Sequence, residues 1–500
     1  MPTSSITEGV QFASLGGKRS SQSAGKTIFA AAAAAVDGSL AQRIERQADW
    51  RKAYLGPVRD LVLAGTRSSK DALLIATEGL NAVHRSVVFH RDGQDLPLAE
   101  ALGTFRDDAF NTATIEGRGT REHELRIPYR GKELSGALLE RQLDEWVRRG
   151  IIEPSGASAV KLVMSKPEWL SLAGSHVVVL GAASEMGPLS ALLRWGADVI
   201  AIDLPRPDLW KRVIDMAESG SGRLHIPIEG PVPSGTDAIA NAAGADLLTQ
   251  TPEIRTWIEA FEVPFTVGNY AYADGSKFAL LAAGADALMA SVLETRRDRS
   301  LAYLATPTDV FAVPAEVVAG ARSLQERSEV LRAAARRLSG NKLFVPNYRS
   351  VVQGADGTSW GISDCLVPQQ GPNYAAAKML QRWRATITRE DGHLTSANVA
   401  PATRTRSVIK NRVLATAYRG AHAYGVEVFE SETSRALMAA LLVHDLRNPA
   451  AVAHPKVPLD HPYKLFTDGA AHGGLWRSAY EPRTVLPLAV VRGAVKKNRG

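Results

Sequence analysis

The stretch "LAGSHVVVLGAASEMGPLSALLRWGADVIAIDLP", residues 172–205, constrains the fold more than any other part of the chain. It contains a continuous apolar run rich in β-branched residues, a turn with spaced glycines, an apolar-periodic helix and a second apolar run that ends at Asp203. Strands that are apolar along their whole length are typical of parallel sheets, because helices cover both faces. The sequence therefore predicts an α/β fold with a doubly wound parallel sheet of the Rossmann type.

The glycine turn in this unit predicts phosphate binding. A glycine after the first strand permits a sharp turn, a small residue lets the backbone approach a pyrophosphate, and the next helix start offers free N–H groups. Gly181 and Gly187 bracket the turn in a G-x-x-S-x-x-G pattern, with Ser184 in the middle position and Met186 before the second glycine. The neighbouring Glu185 would repel a phosphate unless its side chain points away.

Asp203 supports a dinucleotide site. It lies 22 positions after Gly181, where a carboxylate can accept hydrogen bonds from both hydroxyls of an adenosine ribose. Its charge would repel a 2′-phosphate, which favours NAD, whereas Arg206 and Lys211 leave NADP open. The alternative is a β-α-β unit that binds no nucleotide. The cofactor-binding residues predicted in this unit are Gly181, Ser184, Met186, Gly187 and Asp203.

Composition excludes several classes of protein. The chain has 500 residues, of which 45% are hydrophobic and 22% charged, as in a globular protein too long for one typical core. Its net charge of +7 comes mostly from scattered arginines without a basic stripe interleaved with aromatics, so we expect no nucleic-acid partner. No run reaches the roughly 18 apolar residues of a membrane span. The single cysteine, Cys365, excludes an internal disulfide and favours a cytoplasmic location, and no histidine spacing predicts a metal site.

Changes in pattern divide the chain into four predicted parts. Residues 1–45 form a flexible or partly helical segment, and residues 46–165 form a mixed α/β extension with an amphipathic helix in "LSGALLERQLDEWVRRG". Residues 166–470 form the nucleotide-binding catalytic domain, and residues 471–500 a C-terminal tail.

The stretch "GPNYAAAKML" carries the second chemical signal. Tyr374 and Lys378 are four positions apart, so in a helix they lie one turn apart on the same face. A free phenol, with a pKa of about 10, is a weak acid at neutral pH, and a nearby ammonium would make it a better one. The chain has no other Tyr-x-x-x-Lys sequence. The alternative is an exposed pair on a surface helix.

The motifs of residues 170–450, in the order in which they occur along the chain, resemble those of the short-chain dehydrogenase/reductase family. "LAGSHVVVLGAASEMG" resembles the family's first strand and glycine turn, and "NYAAAK" resembles its active-site motif. "TSANVAPATRT" is similar to its Asn-x-x-x-Pro-Gly segment, with Asn398 and Pro401 in place and Ala402 instead of glycine.

The resemblance implies a role for each matching residue. Tyr374 would exchange a proton with a carbonyl or alcohol oxygen while a hydride moves from or to a nicotinamide. Lys378 would support the phenolate and bind the nicotinamide ribose. Pro401 and Thr403 would contact the cofactor, with Thr405 as a further candidate.

The family also has a hydroxyl that holds the substrate oxygen. Its serine corresponds here to Gly361, so we predict that Ser363, two positions away, is the catalytic hydroxyl, with Ser359 as the second choice. If the apolar run in "RSLAYLATPTDVFAVP" is the strand that carries this hydroxyl, Thr306 or Thr308 takes the role instead.

Two departures mark an atypical long member of the family. Tyr374 lies 193 positions after Gly181, which implies an insertion before the Tyr-x-x-x-Lys motif; we place it at residues 315–366 and expect it to form a lid or a substrate wall. The family's active-site asparagine has no clear match, and Asn269 is the nearest candidate.

The expected function is NAD(P)-dependent interconversion of a secondary alcohol and a ketone on a small-molecule substrate, without a metal. One alternative is a non-catalytic nucleotide-binding scaffold or regulator, because Ser184 replaces a glycine and Gly361 occupies the position of the family's serine. Another is an epimerase or dehydratase that uses NAD. The resemblance also implies a homo-oligomer.

Overall fold

A seven-stranded sheet forms the framework of the protein, whose computed structural model describes residues 7–326 and 329–497. Across the sheet the strand order is β7-β6-β5-β2-β3-β4-β1, and every pairing is parallel except the antiparallel pairing of β1 with β4. This order is that of a doubly wound Rossmann-type sheet, so the predicted fold class is confirmed. The strands, in chain order, are β1 Phe110–Glu116, β2 His176–Leu180, β3 Asp198–Ile202, β4 Arg223–Glu229, β5 Phe265–Asn269, β6 Ser300–Ala305 and β7 Thr395–Val399.

The continuous apolar strands predicted from the sequence are covered on both faces. In β2, Val177 and Val179 belong to one hydrophobic cluster, whereas Val178 and Leu180 belong to another. Successive side chains of a strand point to opposite faces, so the two clusters lie on the two sides of the sheet. This explains why the strand has no polar alternation.

Helices cover both faces of the sheet and form most of the remaining structure. Two 3₁₀ turns lie at Pro167–Leu170 and Ala421–Tyr424. The α-helices are α1 Ser21–Ala34, α2 Gly38–Glu45, α3 Trp50–Ala53, α4 Leu55–Gly65, α5 Ser69–Ser86, α6 Leu98–Thr104, α7 Gly136–Arg148, α8 Pro154–Met164, α9 Leu189–Arg194, α10 Pro207–Ser219, α11 Thr236–Ala242, α12 Thr251–Glu259, α13 Ser276–Thr295, α14 Ala315–Glu326, α15 Glu329–Leu338, α16 Pro372–Glu390, α17 Arg406–Lys410, α18 Arg412–Gly420, α19 Ser431–Arg447, α20 Lys464–Thr467 and α21 Pro482–Lys497.

Within residues 7–326 and 329–497, short strands form five smaller sheets. Two of these sheets have three strands each, and the other three are two-stranded pairs. The groups are Gly9–Phe12 with Val87–Arg91 and Gln94–Pro97; Val310–Pro314 with Ser359–Asp364 and Val352–Gln353; Ser14–Leu15 with Lys18–Arg19; Ile127–Tyr129 with Lys132–Leu134; and Thr403–Arg404 with Phe429–Glu430.

The N-terminal extension is continuous with the sheet in the structure. Strand β1 extends the sheet at the β4 edge, and α8 packs on α19. In the segment predicted to be flexible or partly helical, α1 begins after Ser20, whose side chain accepts a hydrogen bond from the Ser23 N–H. The four-part division of the chain stays a prediction, and residues 1–6, 327–328 and 498–500 of its parts lie outside the described residues.

Helix α13 is, among the described residues, the one helix long and apolar enough to cross a membrane by length and composition. Its mean hydropathy reaches 1.4, although no run of wholly apolar residues has the required length. Of the 18-residue stretch of α13 that has this hydropathy, 67% is buried inside the protein, and α13 packs on α16 and α12. A buried core helix of a soluble protein passes the same test.

A buried ionic cluster joins the extension to the helices on the sheet. Asp286 on α13 is fully buried and accepts two hydrogen bonds of 2.8 Å from the Arg384 guanidinium on α16. His84 on α5 contacts the same carboxylate at 2.9 Å. Burial raises the pKa of Asp286, but Arg384 and His84 outweigh it and hold that pKa well below its usual range.

We predict that Asp286→Asn destabilises the protein by about 3–5 kcal/mol, because it leaves the Arg384 guanidinium buried without its counter-charge. Urea unfolding at neutral pH measures the change. The matched control is Asp298→Asn, which breaks the exposed pair with Arg296 and should cost less than about 1 kcal/mol. Equal effects of the two substitutions would contradict the prediction.

Candidate active site

A cleft of about 1360 Å³ lies at the carboxyl ends of the parallel strands. The strand order reverses between β2 and β5, which is the position where doubly wound sheets bind ligands. Residues at or just after the ends of five strands border the cleft: Gly181, Asp203, Asn269, Thr306 and Ala400.

The glycine turn after β2 requires glycine at its first position. Gly181 has a φ of 82°, and a Cβ there would lie 2.6 Å from the Cα of Ala271. Ser184 and Met186 border the cleft with Gly181, whereas Gly187 does not. Gly187 closes the turn by donating its N–H to the Ser184 carbonyl at 3.1 Å.

Two backbone donors of the turn remain available. Neither the Glu185 N–H nor the Met186 N–H has an acceptor among the described residues. Glu185 also borders the cleft, and its carboxylate accepts from the Ser431 hydroxyl at 2.6 Å and from the Arg406 N–H at 2.8 Å. The structure thus engages the carboxylate that would otherwise repel a phosphate, and it leaves donors that suit an anion.

Asp203 connects the turn to the end of β3. Its two carboxylate oxygens accept from the Ala183 N–H and the Leu204 N–H, each at 2.8 Å. Burial raises the pKa of Asp203, and these hydrogen bonds oppose the change only in part. A carboxylate has about four acceptor positions, so Asp203 can hold the turn and still accept from a ribose hydroxyl.

The cations near Asp203 differ from those expected. Arg206 and Arg212 border the cleft, and both act electrostatically on the Asp203 carboxylate. Lys211 does not border the cleft, and its ammonium pairs with Asp237 at 2.8 Å. Arg212, and not Lys211, is therefore the cation that borders the cleft together with Arg206.

Tyr374 lies in the first turn of α16 and borders the cleft. Its ring centroid is 5.6 Å from that of Phe278, and the Thr306 hydroxyl is close enough to its phenol to act on the pKa of the phenol. Burial raises the pKa of Tyr374 well above its usual value, and Thr306 lowers it only in part. The expected lowering of this pKa by Lys378 is not found.

The reason is the direction of the Lys378 side chain. Its ammonium donates to the Leu304 carbonyl at 3.3 Å and to Gln381 Oε1 at 3.0 Å, and it lies 5.8 Å from the centroid of the Phe278 ring. Burial lowers the pKa of Lys378 to about 8, against the opposing charge of Asp309. Lys378 shares the cleft with Tyr374, but its ammonium is bonded elsewhere.

The hydroxyl beside Tyr374 is that of Thr306, at the end of β6. Its Oγ1 lies 3.0 Å from Thr308 Oγ1, which accepts from Gln370 Nε2 at 3.0 Å. Gln370 is itself fixed, because its Oε1 accepts from the Val367 N–H at 2.9 Å. The structure therefore places Thr306, the alternative hydroxyl of the sequence analysis, beside the Tyr374 phenol.

Ser363, the first choice for this hydroxyl, does not border the cleft. It lies fully buried in the strand Ser359–Asp364, and its hydroxyl is 3.4 Å from Cys365 Sγ. Ser359 bonds to Gln353 at 3.0 Å and does not border the cleft either. The prediction of Ser363 used its distance along the chain from Tyr374, whereas the end of β6 decides which hydroxyl reaches the phenol.

Asn398 in β7 has a structural role, whereas the segment after β7 borders the cleft with Ala400, Pro401, Ala402, Thr403 and Thr405. Asn398 is buried and donates to Asp445 Oδ2 at 2.7 Å, away from the cleft. Pro401 and Thr403 border the cleft, and the Thr403 hydroxyl donates to the Pro401 carbonyl at 2.8 Å. Asn269 borders it from the end of β5 and accepts from the Ala271 N–H at 3.2 Å. The family's asparagine lies in the helix before the strand, and here that helix, α13, contains none.

Sequence reasoning missed the cap of the cleft. The described residues of the predicted insertion, 315–366, contribute only Cys365 to the border, so they form no lid. The cap comes instead from α18 and from α21 in the predicted tail. Its cleft-facing residues include Leu414, Tyr418, Val485, Leu486 and Ala489. The apolar run "TVLPLAVV" was the available signal.

Comparisons with known proteins give distant matches only. No protein-family model matches the chain, and no curated protein sequence matches it. The chain is similar to a solved 3-oxoacyl-[acyl-carrier protein] reductase from Brucella melitensis, with 13% identity and a TM-score of 0.34 over 60% of this chain and 92% of that chain. It is also similar to a thiolation-reductase di-domain from an archaeal non-ribosomal peptide synthetase, with 13% identity and a TM-score of 0.26 over 53% of this chain and 66% of that chain. The fold assignment depends on the strand order and not on these matches.

The lowered pKa of Lys378 predicts that the free energy of unfolding depends on pH. Its pKa falls from about 10.4 in the unfolded chain to about 8, so the unfolded state binds more protons between these values and stability rises with pH there. From pH 8 to 9.5 the wild type should gain roughly 2 kcal/mol relative to Lys378→Met. Urea unfolding across this range tests it, with the exposed Lys132→Met as control. The same pH profile for wild type and Lys378→Met would contradict the lowered pKa.

Proposed function

We propose that this protein is an oxidoreductase of the short-chain dehydrogenase/reductase type, which interconverts a secondary alcohol and a ketone with NAD(P). One observation carries the proposal: a single cleft at the reversal of strand order contains the Gly181 turn, the Tyr374 phenol with its Thr306 partner, and Lys378. The two reductases among the solved structures are compatible with this class of reaction.

The residues of the cleft fit a dinucleotide. The free N–H groups of Glu185 and Met186 would hold the pyrophosphate, and Gly181 leaves the space that a side chain would fill. Asp203 would accept from the adenosine ribose, and Pro401 and Thr403 would contact the nicotinamide end. When bound, NAD(P) supplies or accepts the hydride.

The protein supplies the proton and the orientation. The Tyr374 hydroxyl donates its proton to the carbonyl oxygen during reduction, and the Tyr374 phenolate takes the proton of the alcohol during oxidation. The Thr306 hydroxyl orients the substrate oxygen, and the Thr308–Gln370 hydrogen bonds fix Thr306 in place. Lys378 is the cation closest to Tyr374 along α16. A change in the hydrogen bonds of its ammonium to Leu304 and Gln381 would free it to bind the nicotinamide ribose.

NAD remains the first choice of cofactor, because Asp203 borders the cleft and its carboxylate would repel a 2′-phosphate bound beside it. Arg206 and Arg212 keep NADP open. We further propose that the substrate is a small hydroxy or keto compound and that the protein is cytoplasmic. The apolar side chains of the cap favour a substrate with an apolar part.

A nucleotide-binding scaffold or regulator is the second candidate. One observation favours it: the Lys378 ammonium bonds to Leu304 and Gln381, while burial raises the pKa of the Tyr374 phenol. A protein that binds NAD(H) or NADP(H) but turns over none of a broad set of hydroxy and keto compounds would support this candidate. Failure to bind either nucleotide would remove both functions.

We predict that Tyr374→Phe lowers turnover by about 10²-fold or more and spares cofactor binding, because only the transferable proton is lost. Thr306→Val should lower turnover similarly, whereas Ser363→Ala, the matched control, should leave it within about twofold. Cofactor absorbance measures turnover, and nucleotide fluorescence measures binding. Unchanged turnover in Tyr374→Phe, or loss in Ser363→Ala alone, would contradict these roles.

Cofactor choice gives a separate prediction. Asp203→Asn should improve the affinity for NADP(H) relative to NAD(H) by about tenfold, because it removes the charge that repels the 2′-phosphate. Arg212→Ala should weaken NADP(H) binding, because Arg212 borders the cleft, whereas Lys211→Ala should not, because Lys211 lies outside it. Fluorescence titration with both cofactors measures the ratio. An unchanged ratio in Asp203→Asn would show that Asp203 does not reach the ribose.

A further inference from the structure

A segment from the C-terminal half of the chain is bonded directly to the glycine turn. The Glu185 carboxylate of the turn accepts a hydrogen bond of 2.8 Å from the Arg406 N–H. Arg406 begins helix α17, which leads into the cap helix α18. The Arg406 backbone is therefore one glutamate side chain away from the turn, whose Glu185 and Met186 N–H groups have no acceptor among the described residues.

The Arg406 side chain has no partner of its own. Arg406 is exposed and borders the cleft, and its guanidinium forms no ion pair or hydrogen bond within residues 7–326 and 329–497. Lys410, four positions later in α17, also borders the cleft, and its ammonium is unpaired in the same part of the chain. A guanidinium without a carboxylate partner, next to a turn with unused N–H donors, is available to the phosphate of a ligand.

The charges at the turn call for such a cation. The Glu185 carboxylate is anionic, and the two groups that donate to it, the Ser431 hydroxyl at 2.6 Å and the Arg406 N–H, are both neutral. A pyrophosphate would add two further negative charges close to this carboxylate. Arg406 is the residue that the turn itself holds by the backbone and that carries an unpaired positive charge, so its guanidinium can offset this repulsion.

We propose that the Arg406 guanidinium binds the pyrophosphate of the dinucleotide together with the N–H groups of the turn, and that Glu185 positions Arg406 for this contact. The inference rests on the dinucleotide binding proposed above, but it does not depend on turnover. The paired N–H groups of a guanidinium match the oxygens of a phosphate. Two segments that are 221 positions apart in the sequence then hold the same ligand group.

This role differs from that of the other arginines of the cleft. Arg206 and Arg212 act on the Asp203 carboxylate, where we place the adenosine ribose. The Arg406 backbone is bonded to Glu185 instead. Because NAD and NADP share the pyrophosphate and differ at the ribose, Arg406 should strengthen the binding of both cofactors equally.

The test is fluorescence titration of the full chain with NADH and NADPH, and displacement of the bound cofactor by ADP-ribose. Arg406→Gln should weaken the binding of all three ligands about tenfold, because the phosphates lose one charged hydrogen-bonding partner. The ratio of the NADH and NADPH affinities should not change. Added KCl should weaken cofactor binding more steeply in the wild type than in Arg406→Gln.

The matched control is Arg404→Gln. It removes the same charge two positions earlier, from an exposed arginine that pairs with Glu430 at 3.5 Å and does not border the cleft. This variant should bind all three ligands like the wild type. Circular dichroism checks that the variants fold.

Two substitutions of Glu185 test its positioning role. Glu185→Gln and Glu185→Ala both remove the charge that repels a phosphate, but only Glu185→Gln keeps an oxygen that can accept from the Arg406 N–H. Glu185→Gln should therefore bind NADH about threefold more tightly than Glu185→Ala, and this difference should vanish when Arg406→Gln is added to both. Equal affinities of the two variants, or a difference that persists without Arg406, would contradict this role.

The outcomes separate this inference from the proposed function. If the wild type binds the three ligands and Arg406→Gln binds them as tightly, or Arg404→Gln loses as much affinity, only the inference is overturned. A loss confined to NADPH would overturn it as well, because it assigns Arg406 to the 2′-phosphate, and a loss in Lys410→Gln alone would assign the contact to Lys410. A wild type that binds none of the three ligands would remove the proposed function together with the inference.

Discussion

The hydrogen bonds of the Asp203 carboxylate hold together the part of the structure on which the site depends. One oxygen accepts from the glycine turn after β2, and the other accepts from the backbone at the end of β3. The turn can come this close to β5 only because Gly181 has no side chain and has a positive φ. This arrangement opens the cleft at the carboxyl edge of the sheet, and it leaves the Glu185 and Met186 N–H groups of the turn without an acceptor among the described residues.

Elements from distant parts of the chain meet around this edge. Thr306 comes from the end of β6, Tyr374 and Lys378 from the first turns of α16, and the cover from α18 and α21. Helix α16 is held on α13 and α5 by the buried Asp286 cluster, so the N-terminal extension also supports the helix that carries the phenol. The positions of the Tyr374 phenol and the Lys378 ammonium therefore depend on packing far from the cleft.

Predictions from the sequence succeeded where the signal was local. The β-α-β unit was identifiable because strand, turn and helix are contiguous, and the apolar pattern of β2 and β3 requires cover on both faces. The spacing of Tyr374 and Lys378 correctly placed both in one helix. Ser363 was chosen by its distance along the chain and lies outside the cleft, whereas Thr306, at the end of β6 and 68 positions before Tyr374, borders it.

The sequence by itself determined the parallel sheet, the glycine turn and the identity of the chemical side chains, since each depends on neighbouring residues and their conformational preferences. Only the tertiary structure decided which hydroxyl meets the phenol, where the Lys378 ammonium points, and which segment covers the cleft. These outcomes depend on contacts between residues far apart in the chain, and on the burial that shifts the pKa values of Tyr374 and Lys378. No local pattern records such contacts.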